Sequence, residues 1–218
     1  MMTDKYVVFD IDGVLADFPH SFSRLAATMY LVPTTHTHDV EHWDWLEIGG
    51  VSREEHLRVW DKVERSTSFW LDIPLLLTKN DLRAMYMLHE SGVKFIYLTN
   101  RHDTNTTPQQ TAGWLHKHQL PSGELVFAKD KDKYLTERFE GNIGSILGVI
   151  EDSPKNLERY RRGLATKLWR PVVFVADRKY NVEAAPRLPR VSSVMDFCDR
   201  LLNYLDHSPL WLEELQDV

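Results

Sequence analysis

The chain has 218 residues, 43% hydrophobic and 27% charged, the usage of an ordinary globular protein with one substantial core and room for a small lobe, which argues against disorder or a coiled coil. Its formal net charge is -6, from 26 Lys+Arg against 32 Asp+Glu; this disfavours wholesale wrapping of nucleic acid but not a small phosphorylated ligand in a locally positive pocket. The lone Cys198 excludes an intrachain disulfide framework, no run of eighteen apolar residues suggests a membrane span, and the opening 1–13 holds acids where a secretory leader is apolar, so a reducing, cytoplasmic setting is expected.

In chain order, residues 6–9 are a short apolar run that predicts a buried strand ending at Asp10. Residues 17–78 lack strand alternation and are rich in aromatics: Phe18, Phe22, Tyr30, Trp43, Trp45, Trp60, Phe69 and Trp70. With helical patches at 21–30 and 54–64, they read as a small helical cap inserted after the first strand. Beyond it, helical spacing at 79–90, 107–118, 132–139 and from Ser153-Pro154 onward alternates with apolar runs at 93–98, 125–127, 146–150 and 172–175. That alternation predicts an α/β fold, a Rossmann-like, mostly parallel sheet flanked by helices. Residues 1–16 and 79–218 would form the core and 17–78 the cap. Ligands bind such sheets beyond the C-terminal strand ends, where Asp10, Thr99, Glu151 and Asp152 all fall.

Four segments carry chemistry. Asp10-Ile11-Asp12-Gly13 places two carboxylates two apart after a strand, with a glycine to turn the chain away. Beside Mg2+, one such carboxylate can attack phosphorus while the second exchanges protons with the leaving oxygen and water. Thr99-Asn100-Arg101 offers a hydroxyl and backbone amides to phosphate oxygens, although any polar strand end looks similar. Within 129–133 one lysine could neutralise a phosphoryl group. Lys131 is favoured because it precedes Tyr134 and Leu135 at helical spacing, with Lys133 close behind; a solvated face is the plainer reading of that run. Glu151-Asp152 ends another strand, where Asp152 can complete a Mg2+ site with Asp10 and Glu151 can orient a metal-bound water. As a plain helix start, Ser153-Pro154 would account for the same acids through the helix dipole.

The order of these segments resembles that of the haloacid dehalogenase superfamily of phosphotransferases. Asp10–Phe18 resembles the opening of the 5'(3')-deoxyribonucleotidases within it, as do Ser68-Phe69-Trp70-Leu71-Asp72, residues 114–118, Tyr180-Asn181 and 192–197. The resemblance covers nearly the whole chain. It implies a nucleophile at Asp10, an acid/base at Asp12, phosphate contacts from Thr99 and from Lys131 or Lys133, and Mg2+ held by Asp10, the backbone carbonyl of Asp12 and Asp152, with Glu151 in support. It further implies dephosphorylation of nucleoside monophosphates, with cap aromatics against the base. Phe18, Phe69, Trp70, Asn100 and Arg101 are the expected substrate contacts. Departures are Thr99-Asn100-Arg101 where the mammalian enzymes tend to carry Thr-Ser-Pro, Glu151-Asp152 in place of two aspartates, and a longer stretch before Glu151. Competing readings are a 3'-phosphatase on nucleic-acid ends, a small sugar phosphatase, and a non-catalytic binding protein on the same scaffold. A homodimer is compatible with the sequence, but no residue pattern demands one.

Other features weigh less. His36, His38 and His42, near Asp39 and Glu41, allow a zinc site on paper, but an exposed polar loop is the stronger reading. His102 follows the phosphate loop. Cys198 is expected to be buried in the final helix. Arg161, Arg162 and the basic residues of 167–170 are too sparse for an RNA-binding face.

Overall fold

A computed structural model describes residues 4–104, 106–140, 142–164 and 172–207. Six strands form one parallel sheet: β1 (Tyr6–Phe9), β2 (Lys94–Thr99), β3 (Gly123–Phe127), β4 (Ile146–Glu151), β5 (Val172–Ala176) and β6 (Arg190–Val191), in the order β3-β2-β1-β4-β5-β6. Parallel strands covered on both faces become apolar at every position. In β1 this is direct: Val7 and Phe9 face one core cluster and Val8 faces the other, all buried. The two-residue β6 was not foreseen, because so short a run carries no period.

The chain runs from β1 outward to β2 and β3, then returns to the other side of β1 for β4. The order therefore reverses at β1, and the crevice beyond the adjoining ends of β1 and β4 is the topological switch point where α/β sheets bind ligands.

The helices are α1 (Phe18–Met29), α2 (Trp45–Ile48), α3 (Arg53–Arg65), α4 (Lys79–Glu90), α5 (Thr107–Lys117), α6 (Lys131–Arg138), α7 (Pro154–Leu164) and α8 (Val194–His207). The first three form the helical cap inserted between β1 and α4. Where the chain leaves and re-enters the core, Ala16 bridges to Leu75, the Asp17 amide donates to the Pro74 carbonyl (2.9 Å) and the Leu76 amide to Leu15 (2.8 Å). These bonds pin the two connections side by side and fix where the cap stands over the sheet.

Capping sets the helix starts. Ser52 with Glu55, and Thr78 with Asp81, form reciprocal capping boxes. Asp81 also accepts from the Met195 amide (2.7 Å), tying α4 to α8. Cys198 is buried in α8. Among the described residues no helix is long and apolar enough to cross a membrane. The basic residues of 167–170 lie outside the described residues.

Candidate active site

Asp10 follows β1 and its amide still donates to Ile150 of β4 (3.1 Å). Its carboxylate therefore stands at the switch point. Oδ1 accepts from the Ile11 amide (2.7 Å) and lies 2.6 Å from Lys131 Nζ. Lys131 opens α6, is only 2% exposed, and also reaches Glu151 Oε2 at 2.9 Å. Leu135, one turn on, is fully buried and anchors that face of α6. Lys133, roughly 200° round the helix from Lys131, is exposed and pairs with Glu137 instead (3.7 Å). It does not reach Asp10, which corrects its place beside Lys131 among the candidates.

Glu151 is held on both oxygens. Oε1 accepts from the amides of Asp152 (3.2 Å) and Ser153 (3.0 Å), and Oε2 from Lys131 and the Asn156 amide group (3.2 Å). Asp152 accepts from the Tyr180 hydroxyl, and its carbonyl accepts from Asn181 Nδ2 (2.8 Å). Gly13 has φ +80°, and a Cβ there would fall 2.0 Å from Asp152 Oδ2. Only glycine lets the two strand ends approach so closely.

Two buried carboxylates, Asp10 and Glu151, thus share one ammonium, and a third, Asp152, stands beside them. Burial, then the Glu151 charge, push Asp10 well above the ordinary carboxylate range, although Lys131 pulls it down. Burial and Glu151 likewise push Asp152 up to about 7. Burial opposes the charge on Lys131 too, but Asp10 and Glu151 outweigh it and hold the ammonium above the usual lysine value. Glu151, raised by burial, is brought below the usual value by Lys131 and its hydrogen bonds. Carboxylate oxygens of Asp10, Glu151 and Asp152 lie within 4.8 Å of one another. Hard oxygen donors with excess negative charge are the donor set of a divalent cation that favours oxygen, so these residues fit a metal ion.

Thr99, at the end of β2, is fully buried, and its Oγ1 accepts from the Arg101 amide (3.2 Å). Asn100 ties the loop before α6 to the start of α7: its Nδ2 donates to the Lys129 carbonyl (3.0 Å) and its Oδ1 accepts from Asn156 (3.3 Å). Arg101 departs from expectation. Its side chain is 1% exposed and grips Asp12 through Nε to Oδ2 (2.9 Å) and Nη2 to Oδ1 (2.7 Å), with Nη1 on Thr111 Oγ1 (3.0 Å). The guanidinium lies 4.4 Å above the Trp70 ring. Arg101 thus holds Asp12 rather than pointing into open space for a ligand.

A cavity of about 210 Å³ runs from Asp12, Gly13 and Asp152 on the core to the cap. Phe18, Phe22, Trp43, Trp45 and Trp60 supply aromatic wall, and Tyr180 borders it beside Trp43 (centroids 5.5 Å). Phe18 lines it as expected. Trp70 and Phe69 do not line it: Trp70 is buried between Arg101 and the stacked Phe18 ring, and Phe69 packs edge-on against both Phe18 and Trp70. Both rings support the wall from behind. Trp60, which stacks on Phe18 (5.6 Å), faces the cavity instead; aromatic content alone could not tell these rings apart.

His36, His38 and His42 do not converge. His36 Nδ1 lies 2.7 Å from Asp17 Oδ2, and its ring stacks on His20 at 3.9 Å; His38 and His42 are exposed. Asp17, His20 and His36 gather instead, but parallel stacked rings aim their in-plane lone pairs side by side rather than at one ion. His102 pairs with Glu64 of α3 (2.9 Å), a link between core loop and cap. The sequence reading missed three contacts: Tyr180 on Asp152, Arg178 Nε on the Gly13 carbonyl (2.9 Å), and Arg101 on Asp12. Tyr180-Asn181 was singled out, but no local pattern connects it to Asp152.

Residues 4–174 match the sequence profile of the family described as 5' nucleotidase, deoxy (pyrimidine), cytosolic type C. The chain belongs to this family. A protein of Chlorobaculum tepidum that carries the name of a 5'(3')-deoxyribonucleotidase is 27% identical over 164 residues, covering 72% of this chain and 74% of that one. The haloacid dehalogenase fold is shared with a haloacid dehalogenase-like hydrolase of Burkholderia xenovorans (TM-score 0.58, 15% identity, 94% and 99% of the two chains) and a phosphonoacetaldehyde hydrolase-like protein of Oleispira antarctica (TM-score 0.54, 18% identity, 94% and 95%). Family membership and the Asp10–Glu151–Asp152 cluster together make this 5' nucleotidase family member a phosphatase of the haloacid dehalogenase fold.

Proposed function

We propose that the chain is a Mg2+-dependent phosphomonoesterase that hydrolyses nucleoside monophosphates through a phosphoaspartate on Asp10. The observation that carries this reading is the continuity of the site: the cavity joins Asp12 and Asp152 to aromatic walls on the cap. One end suits a phosphate and the other a base.

Asp10 and Asp152 would hold Mg2+, whose charge offsets that of the phosphoryl group and of the carboxylates around it. The phosphate sits against the Thr99 hydroxyl, the amides after it and the Lys131 ammonium. A carboxylate oxygen of Asp10 attacks phosphorus and forms an acyl phosphate as the ester P–O bond breaks. Asp12 gives its proton to the leaving nucleoside oxygen. Asp12 then takes a proton from water, which attacks phosphorus, releases phosphate and restores Asp10. Arg101 sets the plane of the Asp12 carboxylate. The division of labour follows the proposed boundaries, with core residues 1–16 and 79–218 doing the chemistry and cap residues 17–78 excluding water and contacting the base.

Asp44 and Glu47 line the cap side of the cavity, so the further phosphates of a polynucleotide would meet carboxylates there. This supports a mononucleotide over a nucleic-acid end. The test is metal-dependent phosphate release from ribo- and deoxyribonucleoside 5'- and 3'-monophosphates, set against sugar phosphates, with Asp10→Asn as control. The expected result is release from nucleotides, abolished in the control. Release from sugar phosphates alone, or from none of these in folded, metal-replete protein, would overturn it.

A further inference from the structure

We infer that Tyr180 is a positioning residue that ties the metal site to the cap: its hydroxyl turns the Asp152 carboxylate toward the divalent ion, and its ring is steadied by Trp43. The inference rests on the reading above in which Asp10 and Asp152 hold Mg2+, and adds what orients one of those ligands.

The backbone around Asp152 is held by the turn that follows β5. The Arg178 amide closes this turn on Asn181 Oδ1 (3.1 Å). From it Arg178 Nε donates to the Gly13 carbonyl (2.9 Å), and the fully buried Asn181 donates Nδ2 to the carbonyls of Asp152 (2.8 Å) and Ala176 (2.9 Å). What these bonds leave free is rotation of the Asp152 side chain. The Tyr180 hydroxyl donates to Oδ2, and among the described residues it is the only hydrogen-bond donor on that carboxylate. The neighbouring Glu151 carboxylate is held by four. The hydroxyl meets Oδ2 in the notch that Gly13 leaves: a Cβ there would lie 2.0 Å from Oδ2 and 3.0 Å from Tyr180 Oη. One phenol thus sets the plane of a carboxylate expected to hold the ion.

The same phenol reaches the cap. Its ring packs against Trp43 (centroids 5.5 Å, interplanar 64°), and Tyr180, Trp43 and Asp152 border one cavity. A cap side chain therefore supports the group that orients a metal ligand. Partners of this kind tune the ion: removing one typically costs 10- to 100-fold in metal affinity. Mg2+ demands near-ideal octahedral geometry, whereas Ca2+ accepts a looser shell. A carboxylate freed to rotate should therefore cost Mg2+ more than Ca2+, while general damage to the fold would weaken both alike.

The test is calorimetric binding of Mg2+ and of Ca2+ to the metal-free enzyme, with no nucleotide present, in wild type, Tyr180→Phe, Trp43→Leu and the double variant. Tyr180→Phe keeps the ring and removes the donor; it should weaken Mg2+ binding about 10-fold and Ca2+ binding less. Trp43→Leu should lower the Mg2+-to-Ca2+ affinity ratio by a smaller factor, and should add nothing in the Tyr180→Phe background, because its effect passes through the hydroxyl. Trp43 is exposed (52%), so the ratio in Trp43→Leu still decides if Tyr180→Phe fails to fold. Unchanged or tighter Mg2+ binding in Tyr180→Phe, or equal losses for the two ions, would overturn the inference. A Trp43→Leu effect that is absent, or that persists undiminished in the double variant, would overturn the link to the cap. Wild-type protein that binds neither ion would overturn the metal site itself and this inference with it. With no nucleotide present, the result is independent of which phosphate ester the enzyme hydrolyses.

Discussion

Arg101 holds both carboxylate oxygens of Asp12, at 2.9 and 2.7 Å, while its guanidinium rests on the ring of Trp70. If this grip positions the group that protonates the leaving oxygen, its loss should depend on how badly the leaving group needs a proton. Arg101→Met should lower kcat about 100-fold on a nucleoside monophosphate, whose leaving alkoxide is strongly basic, within the usual range for general acid catalysis. The loss on p-nitrophenyl phosphate, whose phenolate leaves unaided, should be much smaller. Equal losses on the two substrates would mean that Arg101 acts on the phosphate or on folding, not on Asp12.

Lys131 and Lys133 stand two residues apart with opposite surroundings. Lys131 is buried between Asp10 and Glu151, whereas Lys133 forms an exposed pair with Glu137. Removing the cation that lies between Asp10 and Glu151 leaves two buried carboxylates uncompensated, at a cost of about 3–5 kcal/mol. Lys131→Met should therefore lower stability on that scale in metal-free protein and cut kcat at least ~100-fold. Lys133→Met should change stability by about 0.5 kcal/mol or less and leave turnover near wild type. Denaturant unfolding and steady-state kinetics on both variants check this.

Gly13→Ala combines two penalties. A φ of +80° costs an L-residue roughly 1–2 kcal/mol, and the added methyl collides with Asp152 Oδ2 at 2.0 Å. Because the collision moves a proposed metal ligand, divalent-ion affinity measured by calorimetry should fall along with the melting temperature. A lowered melting temperature with unchanged affinity would show that Asp152 does not hold the ion.

Asp17 supplies a pH-dependent part of stability. Burial alone would raise its pKa, but hydrogen bonds from His36, Thr37 and the His20 amide lower it below the ordinary value. A carboxylate with a depressed folded pKa contributes stability that is present above its unfolded pKa, about 3.9, and is lost as pH falls through the folded value. Asp17→Asn keeps a cap but not the charge, and should cost about 1 kcal/mol at neutral pH. The gap to wild type should be flat from about pH 7 to 5 and close below about pH 4. A gap that persists at lower pH would assign the effect to shape instead of charge.

The sequence disclosed the parts of the site that local chemistry determines. Asp10, Thr99, Glu151 and Asp152 each end an apolar run, and strand ends in a parallel sheet share one edge, so their convergence followed from order alone. Lys131 could be preferred because Leu135 follows it by one helical turn. Contacts that depend on how loops fold back stayed hidden. Arg101 looked like a ligand contact because nothing local shows that Asp12, 89 positions away, turns toward it. Phe69 and Trp70 looked like base contacts because composition does not reveal which face of a ring meets a cavity. Trp60 and His56, which do line it, had only the spacing of α3 to mark them. Tyr180 reaches Asp152 from beyond β5, a relation set by sheet order rather than by any motif.

The central claim is that phosphate passes through Asp10. The most direct measurement is acid quenching of the enzyme during turnover of a phosphate-labelled nucleoside monophosphate, borohydride reduction, and mapping of the modified residue by mass spectrometry. Protein-bound label is expected on the peptide containing Asp10 before reduction, release of that label with conversion of Asp10 to homoserine after it, and neither in Asp10→Asn. Rapid nucleotide hydrolysis with no label on that peptide would contradict it.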